Sequence, residues 1–299
     1  MNGAVLSQEV AAALEGERAV VALETTIVAH GFPPGEGIAV GRECESRVRA
    51  AGAMPATVAV LGGELRVGLS DGDLARVASA GPDARKVGPR DIGACVAQGA
   101  VGATTVGGTL VACRQAGIRF MATGGIGGVH RGYSEHLDVS ADLPALAHTP
   151  VLVVCSGVKS LLDVQATSEL LETLGVPVLG WQTGELPLFY TARGGPPVST
   201  RVETAAEAAA IARAHWQVSG GSLVLARPPV DGLADVEPLI EEALRAATAR
   251  GVTGQAVTPF VLAFLHERSG GRTLDVNRRL AADNAALAAE VAVAFSATG

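Results

Sequence analysis

Apolar runs of strand length alternate with helical patterns along almost the whole chain, and this alternation limits the possible folds more than any other feature. Ala19–Leu23, Thr104–Val106, Ile118–Ala122, Val151–Cys155, Val176–Gly180 and Ser222–Ala226 read as strands. Gly37–Ala51, Asp71–Ala80, Gly108–Ala116, Asp142–Ala147, Leu161–Leu174, Val202–Trp216 and Val236–Arg250 read as helices, and another begins near Pro89-Arg90-Asp91. Thr57–Leu61 and Glu64–Leu69 read as a hairpin, because Gly62-Gly63 supplies the positive φ of a two-residue turn. Near the C-terminus, Thr258-Pro259 opens one helix and Gly270-Gly271 separates it from the next. Repeated strand-then-helix units predict an α/β fold: a large, mostly parallel mixed sheet with helices on both faces. No Ser/Gly/Pro-rich linker and no fixed-period repeat interrupts residues 1–299, which read as a single domain. Ligands of such sheets bind outside the carboxyl ends of strands. Glu24, Val106, Thr123–Gly128 and Ser156–Lys159 all fall at such ends and are expected in one cleft.

Charge and cysteine usage remove several classes of function. A net charge of −7 argues against nucleic acid as a partner, since a phosphate backbone needs a basic footprint. No apolar run approaches the ~20 residues of a membrane span. Glu9, Glu15 and Glu17 stand where a signal peptide would be basic, so a cytoplasmic location is expected. Cys44, Cys95, Cys113 and Cys155 are widely spaced and form no CxxC pair. Buried small hydrophobes suit them better than a disulfide framework or a zinc site.

The basic residues are the most informative count. Of 23 Lys and Arg, only Lys86 and Lys159 are lysines. Arginine serves wherever a bare positive charge suffices, but it cannot lose its proton and attack a carbonyl as a neutral amine. The two exceptions are therefore suspects, against the bland alternative of two lysines left on the surface by chance. Lys159 follows the apolar run Val151–Cys155, where desolvation and a second cation, Lys86, would prepare it to form an imine. Glu24, at another strand end, is a plausible general acid.

Ala122-Thr123-Gly124-Gly125-Ile126-Gly127-Gly128-Val129-His130-Arg131-Gly132 is the densest signal. Its glycines suit close backbone approach to an anion, with His130 and Arg131 adding charge; a purely structural turn is the alternative. It matches neither a dinucleotide fingerprint nor a P-loop. Asp138-Val139-Ser140-Ala141-Asp142 suits a hard divalent cation held by one or two carboxylates and waters, or a helix cap at Ser140 or Asp142. From these residues alone, the chain reads as an enzyme forming a lysine imine with an anionic, carbonyl-derived or sugar-phosphate substrate.

Leu23-Glu24-Thr25-Thr26-Ile27 with His30-Gly31 resembles the N-terminal signature of the pseudouridine-5′-phosphate glycosidase family, whose fold is shared with indigoidine synthase A-like proteins. So do Pro55-Ala56-Thr57, Arg66-Val67-Gly68-Leu69, Thr104-Thr105-Val106, the whole of Ala122–Gly132, Asp138–Leu143, Lys159-Ser160-Leu161-Leu162-Asp163 and Thr258-Pro259-Phe260. The likeness runs from Ala22 to about Glu290. It implies reversible cleavage of pseudouridine 5′-phosphate to uracil and ribose 5-phosphate, a manganese ion, and a homotrimer of three-layer α/β/α sandwiches. By matching position it implies Glu24 as proton donor, Lys159 as imine-forming nucleophile and Lys86 as an assisting, substrate-contacting lysine. It implies Asp138 as the metal ligand and Val106, Ser140, Ala141 and Asp142 as substrate contacts. Thr123 and His130, within the glycine-rich string, join that substrate-contacting set.

Three stretches depart from the family pattern. Lys-Val-Ser-Arg-Arg-Asp becomes Lys86-Val87-Gly88-Pro89-Arg90-Asp91, and Leu-Asp-Ile-Pro-Arg-Thr becomes Leu162-Asp163-Val164-Gln165-Ala166-Thr167. Asp-Glu-Phe-Pro-Ala-Phe becomes Gly184-Glu185-Leu186-Pro187-Leu188-Phe189. None removes a proposed catalytic side chain. Two other readings stay open: a different imine-forming lyase or aldolase on a sugar phosphate, and a non-catalytic phosphosugar-binding protein.

Overall fold

The computed structural model describes residues 3–33, 35–233 and 235–297. Its strands, in chain order, are β1 (Val5–Leu6), β2 (Val20–Leu23), β3 (Met54–Leu61), β4 (Glu64–Val67), β5 (Arg85–Val87), β6 (Gly102–Thr104) and β7 (Phe120–Ala122). Then follow β8 (Val129–His130), β9 (Leu152–Cys155), β10 (Leu162–Asp163), β11 (Val178–Trp181), β12 (Thr200–Val202) and β13 (Leu223–Ala226). Among the described residues, eleven strands join one sheet along the path β1-β4-β3-β2-β7-β9-β13-β11-β12, with β6 pairing both β3 and β5. From β3 to β12 along that path every pairing is parallel. β8 and β10 form a separate antiparallel ribbon.

The central strands are apolar throughout because both of their faces are covered. Val20 and Ala22 point into one core with Met121, Val153, Cys155 and Val224. Helices Val106–Ala116, Asp142–Ala147, Val164–Thr173 and Glu237–Ala249 close that side through Leu110, Leu143, Leu171 and Ile240. Val21 and Leu23 point the other way with Ala122, Val154 and Leu225, against helices Gly37–Ala50, Ala205–Val218 and Arg272–Ser296. Full burial of each such Val or Leu contributes about 1.5–3 kcal/mol, so alternation between two cores outweighs the lack of any polar face. The result is the expected three-layer α/β/α sandwich.

The sheet changes character where β2 stops. Thr57 of β3 faces Leu23, the last residue of β2, and β3 then continues to Leu61. β6 occupies the vacated side, antiparallel, with Ala59 opposite Ala103. β5 runs parallel to β6 with Lys86 opposite Ala103. Lys86 thus reaches the carboxyl end of β2 from a strand that runs, like β6, opposite to β2 and β3.

Several element boundaries differ from the sequence reading, each for a local reason. The strand expected at Thr104–Val106 lies at Gly102–Thr104, and Val106 opens the next helix because the Thr105 hydroxyl caps the Gly108 N–H at 3.2 Å. Gly108 is required there: a Cβ would collide with the Val87 carbonyl oxygen at the end of β5. The helix expected from Leu161 begins at Val164, with Asp163 as its cap, since Leu162 and Asp163 pair with His130 and Val129. Thr200–Val202 is a strand, and the following helix waits for Thr204 to cap it. β1, β5 and the helix Gln8–Glu15 were not expected from the sequence. All four cysteines are buried and unpaired. No helix among the described residues is long and apolar enough to cross a membrane.

Candidate active site

β2, β7 and β9 are neighbours in the sheet, and their carboxyl ends carry Glu24, Thr123 and the Ser156–Lys159 turn. Two connected compartments open above them, both bordered by Glu24, Thr26, Lys86, Lys159 and Thr258. One is narrow and largely apolar, with about 60 Å³ of water-accessible space; Ile27, Gly124, Gly125, Leu161, Phe189 and Leu262 line it. The other is polar and roomier, about 380 Å³, bordered by Gly88, Arg90, Thr105, His130, Asp138 and Ser140. The two lysines, Lys86 on β5 and Lys159 in the turn after β9, therefore stand at the junction of an apolar slot and a polar basin.

Glu24 is only 6% exposed and accepts a short hydrogen bond from the Thr123 hydroxyl. Burial raises its carboxyl above the usual carboxylate range, against the opposing pull of Lys159 and of that hydrogen bond. Lys86 is shifted the other way: burial and the nearby Lys159 charge lower its ammonium pKa, while Asp142 and Glu24 act to raise it. An acid inclined to keep its proton thus faces an amine inclined to lose one, the pairing that proton-transfer chemistry near neutrality needs.

Threonines of the Glu24-Thr25-Thr26 run hold this corner together. Thr25 Oγ1 donates to the Val58 carbonyl at 2.7 Å and accepts from the Thr104 N–H at 3.0 Å. Thr26 Oγ1 donates to the Thr104 carbonyl at 2.8 Å. Asn284, fully buried on the long C-terminal helix, donates to the Thr123 carbonyl at 2.9 Å and to Ser156 Oγ at 3.1 Å. One side chain thereby ties the exit of β7, which orients Glu24, to the exit of β9, which leads to Lys159.

The glycine-rich string is a packing device more than an anion cradle. The N–H groups of Thr123, Ile126, Gly127 and Val129 are bonded to Val154, Gly157, Asp142 and Thr167. Gly124 and Gly125 border the apolar slot, and Gly127 the polar basin. Arg131 turns away to the Ser160 carbonyl at 2.9 Å and to Glu237 at 2.7 Å, bracing the Lys159 turn.

The remaining expected residues divide by position. Asp142 borders the basin, but its two carboxylate oxygens accept from the Gly107 and Gly127 N–H groups at 2.7 and 2.9 Å, stapling the first turn of the helix after β6 to the glycine-rich turn after β7. Ser140 Oγ caps the Asp142 N–H at 3.2 Å, and Ala141 also borders the basin. His130 borders it too; burial lowers its imidazole pKa against the pull of Asp138, whose carboxylate lies 3.7 Å from Nδ1. Val106 borders neither compartment: its side chain is fully buried in the core, one residue before the Gly107 N–H.

Asp138 presents a carboxylate that is 34% exposed to the basin. No group of three His, Cys, Asp or Glu side chains stands together among the described residues. This donor set fits a hard cation that keeps most of its waters, and does not fit a dry, all-protein cage.

Thr26, His30, Phe189 and Asn277 are among the bordering residues to which the sequence assigned no role. His30 has a buried Nε2 without a hydrogen-bond partner, and burial and Lys86 lower its pKa. Asn277 and Asn284 lie seven residues apart on one face of the last helix, and two amides in an otherwise apolar stripe were the available signal.

A family model described as "Indigoidine synthase A like protein" matches residues 9–294. The chain is 49% identical over 296 residues to a pseudouridine-5′-phosphate glycosidase of Streptomyces griseus subsp. griseus, covering 97% of this chain and 91% of that protein. It is 47% identical over 306 residues to the one of Chloroflexus aurantiacus, covering 98% and 99%. Among solved structures, it superposes on the prealnumycin C-glycosynthase in complex with ribulose 5-phosphate with a TM-score of 0.90 and 40% identity, covering 100% and 98%. An indigoidine synthase A-like protein from Thermotoga maritima gives a TM-score of 0.86 at 35% identity, covering 99% and 98%.

Two outcomes follow from the buried carboxyls. Asp142→Ala leaves the Gly107 and Gly127 N–H groups buried without a partner. At about 1–3 kcal/mol for each orphaned group, urea unfolding should show a loss of at least about 2 kcal/mol; Asp142→Asn, which keeps an acceptor, should lose less. Glu24 acts through linkage: its folded pKa lies above the unfolded one. The stability it contributes is complete below the unfolded value and is lost as pH rises through the raised folded value. Glu24→Gln removes that loss, so its melting temperature should match wild type in acid and exceed it at higher pH. A variant that tracks wild type at every pH would contradict the burial cost.

Proposed function

The chain belongs to the pseudouridine-5′-phosphate glycosidase family, among the indigoidine synthase A-like proteins, and on that premise we propose that it cleaves the C–C glycosidic bond of pseudouridine 5′-phosphate. The products are uracil and ribose 5-phosphate, and the reaction is reversible. The observation that carries this reading is that the chain's two lysines border one cavity with a buried glutamic acid. Carbon–carbon cleavage has no heteroatom leaving group to protonate, so it needs an electron sink at C1′. An amine supplies one by becoming an iminium.

In the proposed sequence, Glu24 gives its proton to the ribose ring oxygen as the C1′–O bond breaks. The neutral Lys159 amine adds to C1′, and the proton it sheds returns to Glu24. The C1′–C5 bond then breaks: its electron pair stays on uracil C5, which takes the proton from Glu24, while the nitrogen lone pair forms the iminium. Water adds to that iminium and releases ribose 5-phosphate from the lysine. The sum is one substrate and one water giving two products. Lys86, lowered in pKa beside Lys159, adds positive charge for an anionic substrate.

The apolar slot suits a flat base and the polar basin a phosphate. Lys86, Thr105, His130 and Ser140 border the basin. Asp138 would hold a manganese ion there, which when bound supplies positive charge to an oxygen of the substrate. A homotrimer and a cytoplasmic location belong to the same reading and rest on family membership. A second reading is favoured by the likeness to a C-glycosynthase: the same imine, used to join a different carbon nucleophile to the sugar phosphate.

Uracil release from pseudouridine 5′-phosphate tests the reading directly. Lys159→Arg should abolish release while leaving the fold intact, because arginine keeps the charge and cannot form an imine; a rate within tenfold of wild type would remove the nucleophile role. Chelation should lower the rate without unfolding the protein, and Asp138→Ala should match the chelated enzyme and gain little from added manganese. A rate indifferent to chelation would reduce Asp138 to a structural role.

A further inference from the structure

Phe189 holds a backbone conformation that residues of its kind avoid. Its φ is 65°, in the left-handed region where a bulky side chain is an outlier. Strain of this sort persists only where the surroundings enforce it, and it gathers at functional sites. Here the Phe189 N–H donates to the Ser156 carbonyl at 3.1 Å, three residues before Lys159. Leu188 forms a bridge to Gly157 in the same turn. The ring stands edge-on to Tyr190, with centroids 4.8 Å apart and planes at 88°. On its other side lies Gly125, where any Cβ would come within 2.7 Å of a Phe189 ring carbon. The strained backbone at Phe189 and the missing side chain at Gly125 are two halves of one fit.

That fit places the ring, only 4% exposed, in the wall of the apolar slot beside Glu24, Lys159 and Asn277. The slot has about 60 Å³ of water-accessible space against about 380 Å³ in the basin. The slot is the narrower of the two compartments, so a second fused ring on a base lying in it would run against the wall that Phe189 forms.

We propose that Phe189 is the residue that restricts the leaving group to one planar ring, and that its strained conformation is retained to keep the slot short. This rests on the imine reading above and adds to it the selection of the carbon partner. Lys159 acts only on the sugar carbon, and Glu24 only moves protons at the ring oxygen and at the carbon that leaves, so neither measures how large the leaving ring is.

The test runs in the synthetic direction with ribose 5-phosphate and either uracil or 1,3-dihydroxynaphthalene, a two-ring carbon nucleophile. In each case a bond forms between C1′ and a ring carbon, that carbon gives up its proton, and one water is lost overall. Phe189→Ala and Phe189→Gly both open the slot, and glycine adopts the positive φ without strain. Borohydride trapping with ribose 5-phosphate alone reports imine formation at Lys159 in each protein. The expected result is an adduct in all three and, in both variants, a rise of at least about tenfold in kcat/KM for the two-ring partner relative to uracil, as for a relieved steric exclusion. An unchanged ratio, or no two-ring product while uracil is still joined, overturns the role of Phe189. Loss of the adduct in both variants alone also overturns it, because the ring would then serve the imine step. Absence of the adduct in wild type is a different result: it removes the imine reading itself.

Discussion

Everything in the site depends on how the sheet is handed over at the end of β2. β3 outlasts β2, and the Thr25 hydroxyl bridges the Val58 carbonyl and the Thr104 N–H where β6 takes over. The Thr104 N–H at this sheet discontinuity would otherwise be buried without its partner, which is costly, and the Thr104 hydroxyl is a second donor to the Val58 carbonyl. Satisfying these groups with side chains lets two strands of opposite direction meet a parallel sheet at its carboxyl edge. Lys86 rides on the second of those strands. Without that handover, Lys86 would have no route to the end of the strand that carries Glu24.

The electrostatics follow from this placement. Glu24 and Lys86 both lie out of water, so each resists its charged form; Lys159 and Lys86 partly relieve Glu24, whereas Lys159 adds to the burial of Lys86 and only Asp142, Glu24 and Asp138 oppose it. A pair made comfortable in its charged form would be more stable and chemically idle. Sites that hold acids and amines in their reactive protonation states give up some stability to do so, which is the usual relation between activity and stability.

Much of this was legible in the residues. Strand ends could be located from apolar runs, and the scarcity of lysine singled out Lys86 and Lys159 before any fold was known. Features that rest on partners distant in sequence were not legible. β5 is three residues long and exists because β6 pairs with it; Arg85-Lys86-Val87 has no strand signal of its own. Asp142 reads as a cap or a ligand from its neighbours, whereas its two oxygens serve Gly107 and Gly127, 35 and 15 residues away. The glycine-rich string invites an anion-binding reading because glycine permits it. Yet the N–H groups of Thr123, Ile126, Gly127 and Val129 are spent on Val154, Gly157, Asp142 and Thr167. Phe189 carries no local mark either, since its left-handed backbone is imposed by contacts with Ser156 and Gly125.

Asn284 has a consequence in time. It bonds to Thr123 and Ser156, which precede it by 161 and 128 residues. At ~5–20 residues per second of synthesis, those strand ends leave the ribosome on the order of ten seconds before the helix that joins them. Throughout that interval the carbonyl of Thr123 and the hydroxyl of Ser156 lack their buried amide, and the helix that covers one face of the sheet is absent. The nascent chain can gather its strands early, but the turn after β7, which carries Thr123, and the turn after β9, which leads to Lys159, lock against each other last. The backbone that carries Lys159 is thereby held in place only once the last helix has been made.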